Sequence, residues 1–392
     1  MSDFDVIVYG ATGFTGRLVA EYLSTAYPEG VAWAMAGRSL SKLEEVRDLI
    51  GAPADVPLLT ANADDPASLR ALAARTKVIL TTVGPYQLYG NDLVAACAAT
   101  GTAYVDLCGE PAWMRAMIDA HEDAAKASGA RIVFSCGFDS IPFDLGVWTL
   151  QQAAVARFGA PAPRVKGRVK SMRGGFSGGT AASLKATLAA GARDPGVFKL
   201  MVDPFALTPG FAGPSQPKGL MPEYDEAVGG WVAPFIMAAI NTKNVHRTNF
   251  LAGHPYGADF RYDEMMVAPG LGELGKAAAE AMAKMNPLAG EGGPKPGEGP
   301  SKAERESGYY EVLFVGEYDD GRRITATVKG DRDPGYGSTS KMIAESALCL
   351  ARDVAGDGGI WTPGALMAAP LVKRLEAKAR LTFVVDAEPA TP

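Results

Sequence analysis

The residues best suited to chemistry come first in the chain. Gly10, Gly13 and Gly16 are spaced by three within Asp5-Val6-Ile7-Val8-Tyr9-Gly10-Ala11-Thr12-Gly13-Phe14-Thr15-Gly16, directly after an apolar run. Glycine at the first position suits a tight turn, at the second it lets a ligand approach the main chain, and at the third it lets the next helix lie close. The N–H groups that open such a helix, together with its dipole, attract phosphate. Gly10, Ala11, Thr12, Gly13, Phe14, Thr15 and Gly16 are therefore expected to cradle the pyrophosphate of a dinucleotide. A second apolar run, Val31 to Ala36, ends in Gly37-Arg38-Ser39. An acid usually stands there when the ribose 2′-hydroxyl is free, whereas Arg38 offers two N–H bonds to a 2′-phosphate and Ser39 adds a hydroxyl. The expected cofactor is NADP(H).

Later β-like runs end in polar residues that belong at the same edge of a parallel sheet, where ligands gather beyond the carboxyl ends of strands. Asn62, Ala63 and Asp64 are placed near the adenine, and Val83, Gly84, Pro85 and Tyr86 beside the nicotinamide, with Cys108 and Gly109 on the next exit. A hydride acceptor held about 3–3.5 Å from the nicotinamide also needs a proton. Tyr86 is the first candidate donor, Asp139 the second and Lys341 the third. Each has a plain structural alternative: packing, helix capping and solvation, respectively. Cys108 and Cys136 read as buried thiols, and Glu110 either joins a network under the nicotinamide or caps a helix. The Gly174–Thr180 loop can offer main-chain N–H groups to an oxyanion.

These residues need a scaffold. Residues 1–135 alternate short strands and helices, which is the pattern of a Rossmann-type, doubly wound parallel sheet. Residues 136–335 read as a second, mixed α/β domain that carries the substrate or a dimer contact. Its strand Arg164–Met172 alternates basic and apolar residues, and its hairpin, Tyr309–Tyr318 with Arg322–Lys329, turns at Asp319-Asp320-Gly321. A mobile loop is expected over 286–307, which is rich in Gly, Pro, Glu and Lys. Residues 336–392 are expected to return to the core, with a helix over Ser338–Val354 leaning on the first domain, a helix over Leu371–Ala379 and a strand over Leu381–Val385.

Bulk properties narrow the class. The chain has 392 residues, too many for one core, with 47% apolar and 21% charged content and a net charge of −6. That balance gives no support for nucleic-acid binding. Four separated cysteines and three histidines (His121, His246, His254) fit reduced thiols of a cytoplasmic protein and no metal site. The apolar run Trp231–Ile240 is shorter than the ~20 residues a membrane span needs. It is expected in the core, or as an oily contact for a lipid substrate or the inner face of the plasma membrane.

Several blocks together resemble the saccharopine dehydrogenase-like oxidoreductases, and most of all the mycobacterial trans-acting enoyl reductase branch. They are Gly10–Gly16, Ala36–Ser39, Val83–Tyr86, Tyr104–Glu110, Gly137–Pro142, Ala233–Thr242, Gly335–Met342 and Gly359–Pro363. The resemblance implies an NADP-type Rossmann domain, a second α/β domain and reduction of a double bond on an acyl chain carried by a polyketide synthase, towards phthiocerol and phenolglycolipid-type lipids. A homodimer is a further expectation. The glycine spacing departs from the G-x-G-x-x-G of amino-acid saccharopine reductases, and no Tyr-x-x-x-Lys pair follows the fourth strand. Two other readings stay open. One is a secondary-amine dehydrogenase, whose multiply charged substrate would be met by Arg164, Arg168 and Arg173; the other is a non-catalytic, lipid-associated NADPH-binding protein. An apolar channel lined by residues 231–240 favours the lipid substrate, and a small arginine-lined pocket the amino acid.

Overall fold

The computed structural model describes residues 2–174, 178–285 and 298–386. Six strands of the amino-terminal third, β1 (Phe4–Tyr9), β2 (Trp33–Gly37), β3 (Leu58–Thr60), β4 (Thr76–Thr81), β5 (Ala103–Val105) and β6 (Arg131–Val133), pair in parallel in the order β3-β2-β1-β4-β5-β6. Every residue of β1 and β2 is buried, as expected of strands covered on both faces. Alternate residues serve opposite layers. Val6 and Val8 meet Val19, Leu23, Ile343 and Leu348, while Ile7 and Tyr9 meet Leu69, Leu93 and Val94.

The second sheet is mixed. It takes β7 (Arg164–Arg173), β8 (Glu223–Asp225), β9 (Gly230–Pro234), β10 (Arg261–Val267), β11 (Tyr309–Glu317) and β12 (Arg323–Gly330). β7 runs parallel to β10 and antiparallel to β11, at the centre of the order β12-β11-β7-β10-β9-β8. The expected hairpin forms with Glu317 opposite Arg323. Helix Ile141–Phe158 covers β11 and β12 closely, because a Cβ on Gly146 would stand 2.3 Å from the Phe314 ring.

The last part of the chain belongs to both sheets. β13 (Gly359–Trp361) adds a seventh parallel strand beside β6, and β14 (Leu381–Val385) pairs with β12. Ahead of them in the chain, the helix Thr339–Arg352 packs on helix Phe14–Ala26 and on β1, β4 and β5. Glu345, fully buried, fixes this contact by accepting from Tyr22 Oη at 2.7 Å, Tyr27 Oη at 2.8 Å and the Arg374 guanidinium at 3.1 Å.

The structure amends two sequence expectations here and adds two elements that the sequence reading left out. Residues 286–297 of the expected loop lie outside the described residues, but Lys302–Ser307 is a helical turn closed by a capping box between Ser301 and Glu304. The run Trp231–Ile240 is split between β9 and the start of the helix Ala238–Leu251. That helix and β10 were not read from the sequence, because Asn241 and the residues from Lys243 to Asn249 are buried although all but Val245 are polar. Among the described residues no helix is long and apolar enough to cross a membrane.

Candidate active site

The candidate cofactor cradle lies at the exits of β1 and β4. Gly10 has φ +89°, and a Cβ there would meet Val83 Cγ2 at 2.6 Å. A Cβ on Gly16 would stand 2.2 Å from the Gly10 carbonyl oxygen, so only glycine lets the helix press onto the turn. Gly13 starts that helix with no side-chain cap, whereas Ser39 and Asp65 cap the next two. The first N–H groups are thus left for an anionic ligand. Arg38 is exposed and makes no hydrogen bond or ion pair among the described residues, so its fork is available. Tyr9 lies opposite Ala36, and Gly37 opposite Thr60, which brings the exits of β2 and β3 beside that of β1. Ser39 Oγ accepts from Lys42 N, and Asn62 Oδ1 accepts from Asp64 N, so both shape their own turns. These groups fit an NADP-type dinucleotide.

The next exit is held from below. Glu110, buried, accepts from Tyr86 N and Gln87 N, each at 2.9 Å, and from Ser183 Oγ at 2.9 Å. Of its two expected roles it fills the capping one, and it fixes the loop Val83–Tyr86. Cys108 is buried, with its thiol pushed up by desolvation and its Sγ accepting from Glu110 N. Its neighbour Gly109 is exposed and faces Asp139.

Beyond these exits lies a cavity of about 500 Å³ between the two sheets. Thr15, Leu107 and Gly137–Asp139 form its floor, and Met172, Pro234–Met237, Met266, Met282 and Met285 its walls. Within this lining Asp139 is the carboxyl, with no hydrogen bond among the described residues. Burial pushes its pKa up to about 7.

The three candidate proton donors therefore separate. Asp139 lines the cavity. Tyr86 does not, because its ring packs on Trp113 and its hydroxyl is used inside the wall, accepting from Leu107 N at 3.0 Å and donating to Thr81 O. Burial also pushes that phenol well above its ordinary pKa. Lys341 opens instead into a separate cleft of about 230 Å³ with Lys302, Arg305 and Arg332. Residues 175–177 of the Gly174–Thr180 loop lie outside the described residues. The arginines expected to meet a multiply charged substrate are occupied. Arg168 is fully buried against Asp225 at 2.6 Å and Asp263 at 2.9 Å, and Arg164 pairs with Asp263. Arg173 does not line the cavity.

Sequence reading missed Met172, Met266, Met282 and Met285 of the wall and Thr339, whose Oγ1 accepts from Phe138 N at 2.9 Å. Met172 and Met266 lie on separate strands, and Met282 and Met285 at the end of the helix Gly272–Lys284, so no single stretch of sequence announces the set. Among the described residues no cluster could hold a metal ion.

An uncapped glycine turn on one sheet, beside a cavity walled by the other, fits an NADP-dependent oxidoreductase. Residues 6–133 match the family model described as the saccharopine dehydrogenase NADP binding domain. A Mycobacterium tuberculosis protein provisionally named as a trans-acting enoyl reductase is 42% identical over 96% of both chains. The trans-acting enoyl reductase of Mycobacterium leprae is 37% identical, with 95% of this chain and 96% of that one covered. The chain belongs to the saccharopine dehydrogenase-like family, in the branch of the trans-acting enoyl reductases. Among solved structures, apo saccharopine dehydrogenase (L-Glu forming) from Saccharomyces cerevisiae shares the fold, with a TM-score of 0.54 at 11% identity over 97% of this chain and 99% of that one.

Proposed function

We propose that the protein reduces the carbon–carbon double bond of a lipid-type enoyl thioester presented by a polyketide synthase. The observation that carries this reading is the solitary Asp139 carboxyl in an otherwise oily cavity at the cofactor edge. Bound NADPH supplies a hydride to the β-carbon of such a substrate. Asp139 then gives its proton to the α-carbon through a carboxyl oxygen, and solvent restores it. The apolar walls hold the acyl chain and keep water away from the developing enolate. Residues 234–237, from the run expected to make an oily contact, line the cavity and support a lipid chain over a small charged substrate. The occupied arginines argue the same way against a secondary-amine substrate.

The trans-acting name of the relatives supports delivery by a partner synthase. Glycolipid assembly, a homodimer formed through the second domain and contact with the inner face of the membrane complete the proposal.

NADPH consumption with the dodecenoyl (α,β-unsaturated) thioester of N-acetylcysteamine tests it. The saturated thioester is the expected product, and Asp139→Asn lowers kcat by about 10²–10⁴-fold while NADPH still binds. NADPH binding with no turnover, or full turnover in Asp139→Asn, overturns the reading.

A further inference from the structure

Asp139 stands next to Ser140, which opens a helix, a place where a short polar side chain commonly turns back to cap the free N–H groups. Here it does not: the helix Ile141–Phe158 has no side-chain cap, although Asp139 and Ser140 both stand at its start. Ser140 instead takes φ +143° and ψ −33°, a conformation that residues with a Cβ rarely adopt. Strain of this kind persists only where the surroundings enforce it. The enforcing groups come from the helix Ala238–Leu251. Ser140 Oγ receives Asn244 Nδ2 at 2.7 Å and donates to Asn241 Oδ1 at 3.2 Å. Asn241 Nδ2 in turn donates to Glu264 Oε2 at 2.9 Å, and Tyr262 Oη to Glu264 Oε1 at 2.9 Å, which anchors the chain in β10. Ser140, Asn241 and Asn244 are all fully buried. Asn244 Oδ1 has no partner among the described residues, so the Nδ2 bond to Ser140 is the side-chain bond that holds the residue there. On the opposite side, Phe138 N is pinned by Thr339, whose Oγ1 donates to Pro334 O.

We propose that Ser140, Asn241 and Asn244 are positioning residues that force the chain to deliver the Asp139 carboxyl into the cavity instead of onto the helix behind it. The inference rests on the reading of Asp139 as proton donor. It also gives the buried polar face of helix Ala238–Leu251 a purpose, because a core helix gains nothing from asparagine unless its bonds are specific.

Ser140→Gly is the informative variant, since glycine tolerates the backbone angles and relieves the strain while removing the hydroxyl. With the same dodecenoyl thioester, the expected result is a kcat lower by about ten- to a hundredfold, with KM for NADPH and melting temperature held. Ser140→Ala is expected to lose kcat in the same way and stability as well, because it keeps the strain without the bonds. A second readout needs no turnover: the carboxyl titration of Asp139, isolated as the infrared difference between each protein and its Asp139→Asn counterpart. The neighbouring Cys108 thiol is kept neutral by burial and stays out of this titration. In the otherwise native protein the midpoint is expected near 7, and in Ser140→Gly it falls towards the ordinary aspartate range. A native midpoint near the ordinary range removes the reading of Asp139 as donor. A native midpoint near 7 that Ser140→Gly leaves unmoved, with kcat unchanged, removes only the clamp.

Discussion

Arg38 waits for a charge. It is exposed, has no hydrogen bond or ion pair among the described residues and follows β2 beside the exit of β1, so its contribution to binding should come almost wholly from the cofactor's 2′-phosphate. Arg38→Glu is expected to weaken NADPH by about 10–100-fold and NADH far less, read as two dissociation constants by fluorescence titration. Equal losses for both would assign the residue to the adenine or to folding. Arg38 and the glycines were legible in the sequence because their work is local: a turn angle, a helix start, a strand end. The surroundings of Tyr86 and Lys341 were not legible, for the complementary reason. Each lies on the right stretch of chain, but which way a side chain leaves a loop depends on partners far away in sequence, here Leu107 for Tyr86 and the 302–332 segment for Lys341. Arg168 misled in the same way, since Asp225 and Asp263 come from strands that no spacing links to it.

Among the elements, the short helix Tyr86–Tyr89 depends on a carboxylate from the following strand exit. Glu110 meets both of its opening N–H groups, and a glutamine has only one oxygen to offer them. Glu110→Gln should therefore cost about 1–3 kcal/mol in chemical denaturation and raise the KM for NADPH as the Val83–Tyr86 loop loosens. Unchanged stability would mean that the loop is held by the Tyr86–Trp113 packing instead. The strands of the first sheet and the β11–β12 hairpin were readable because burial on two faces, or on one, writes a plain apolar pattern. The helix Ala238–Leu251 was not, since its buried face is polar and bonds to side chains and main-chain carbonyls far away in sequence, so its amphipathic signal is erased.

At the scale of the whole molecule, several buried acids hold protons that the unfolded chain would release. Burial lifts Asp106, Asp139 and Asp144 to about 7 and Glu264 to about 8. A carboxyl whose pKa is raised by folding stabilises the fold fully at low pH and loses that contribution as pH climbs through the folded value. His246, lowered to about 3, works in the opposite sense but only below its unfolded value near 6.5. Lys243, lowered to about 8, offsets part of the change from the alkaline side. The four acids outnumber it, so melting temperature is expected to fall between pH 6.5 and pH 8 in scanning calorimetry. A rise across that window would show that these acids are ionised inside the fold.

The position of β13 and β14 has a consequence for biogenesis. The ribosome makes residues 359–385 after every strand they complete. While the nascent chain is still growing, β6 and β12 each present a bare hydrogen-bonding border, the kind that invites pairing with a neighbouring polypeptide. Translation must run almost to Val385 before both borders are sealed. A stalled or clipped product ending near residue 355 would keep its nucleotide cradle yet be a natural client for chaperones.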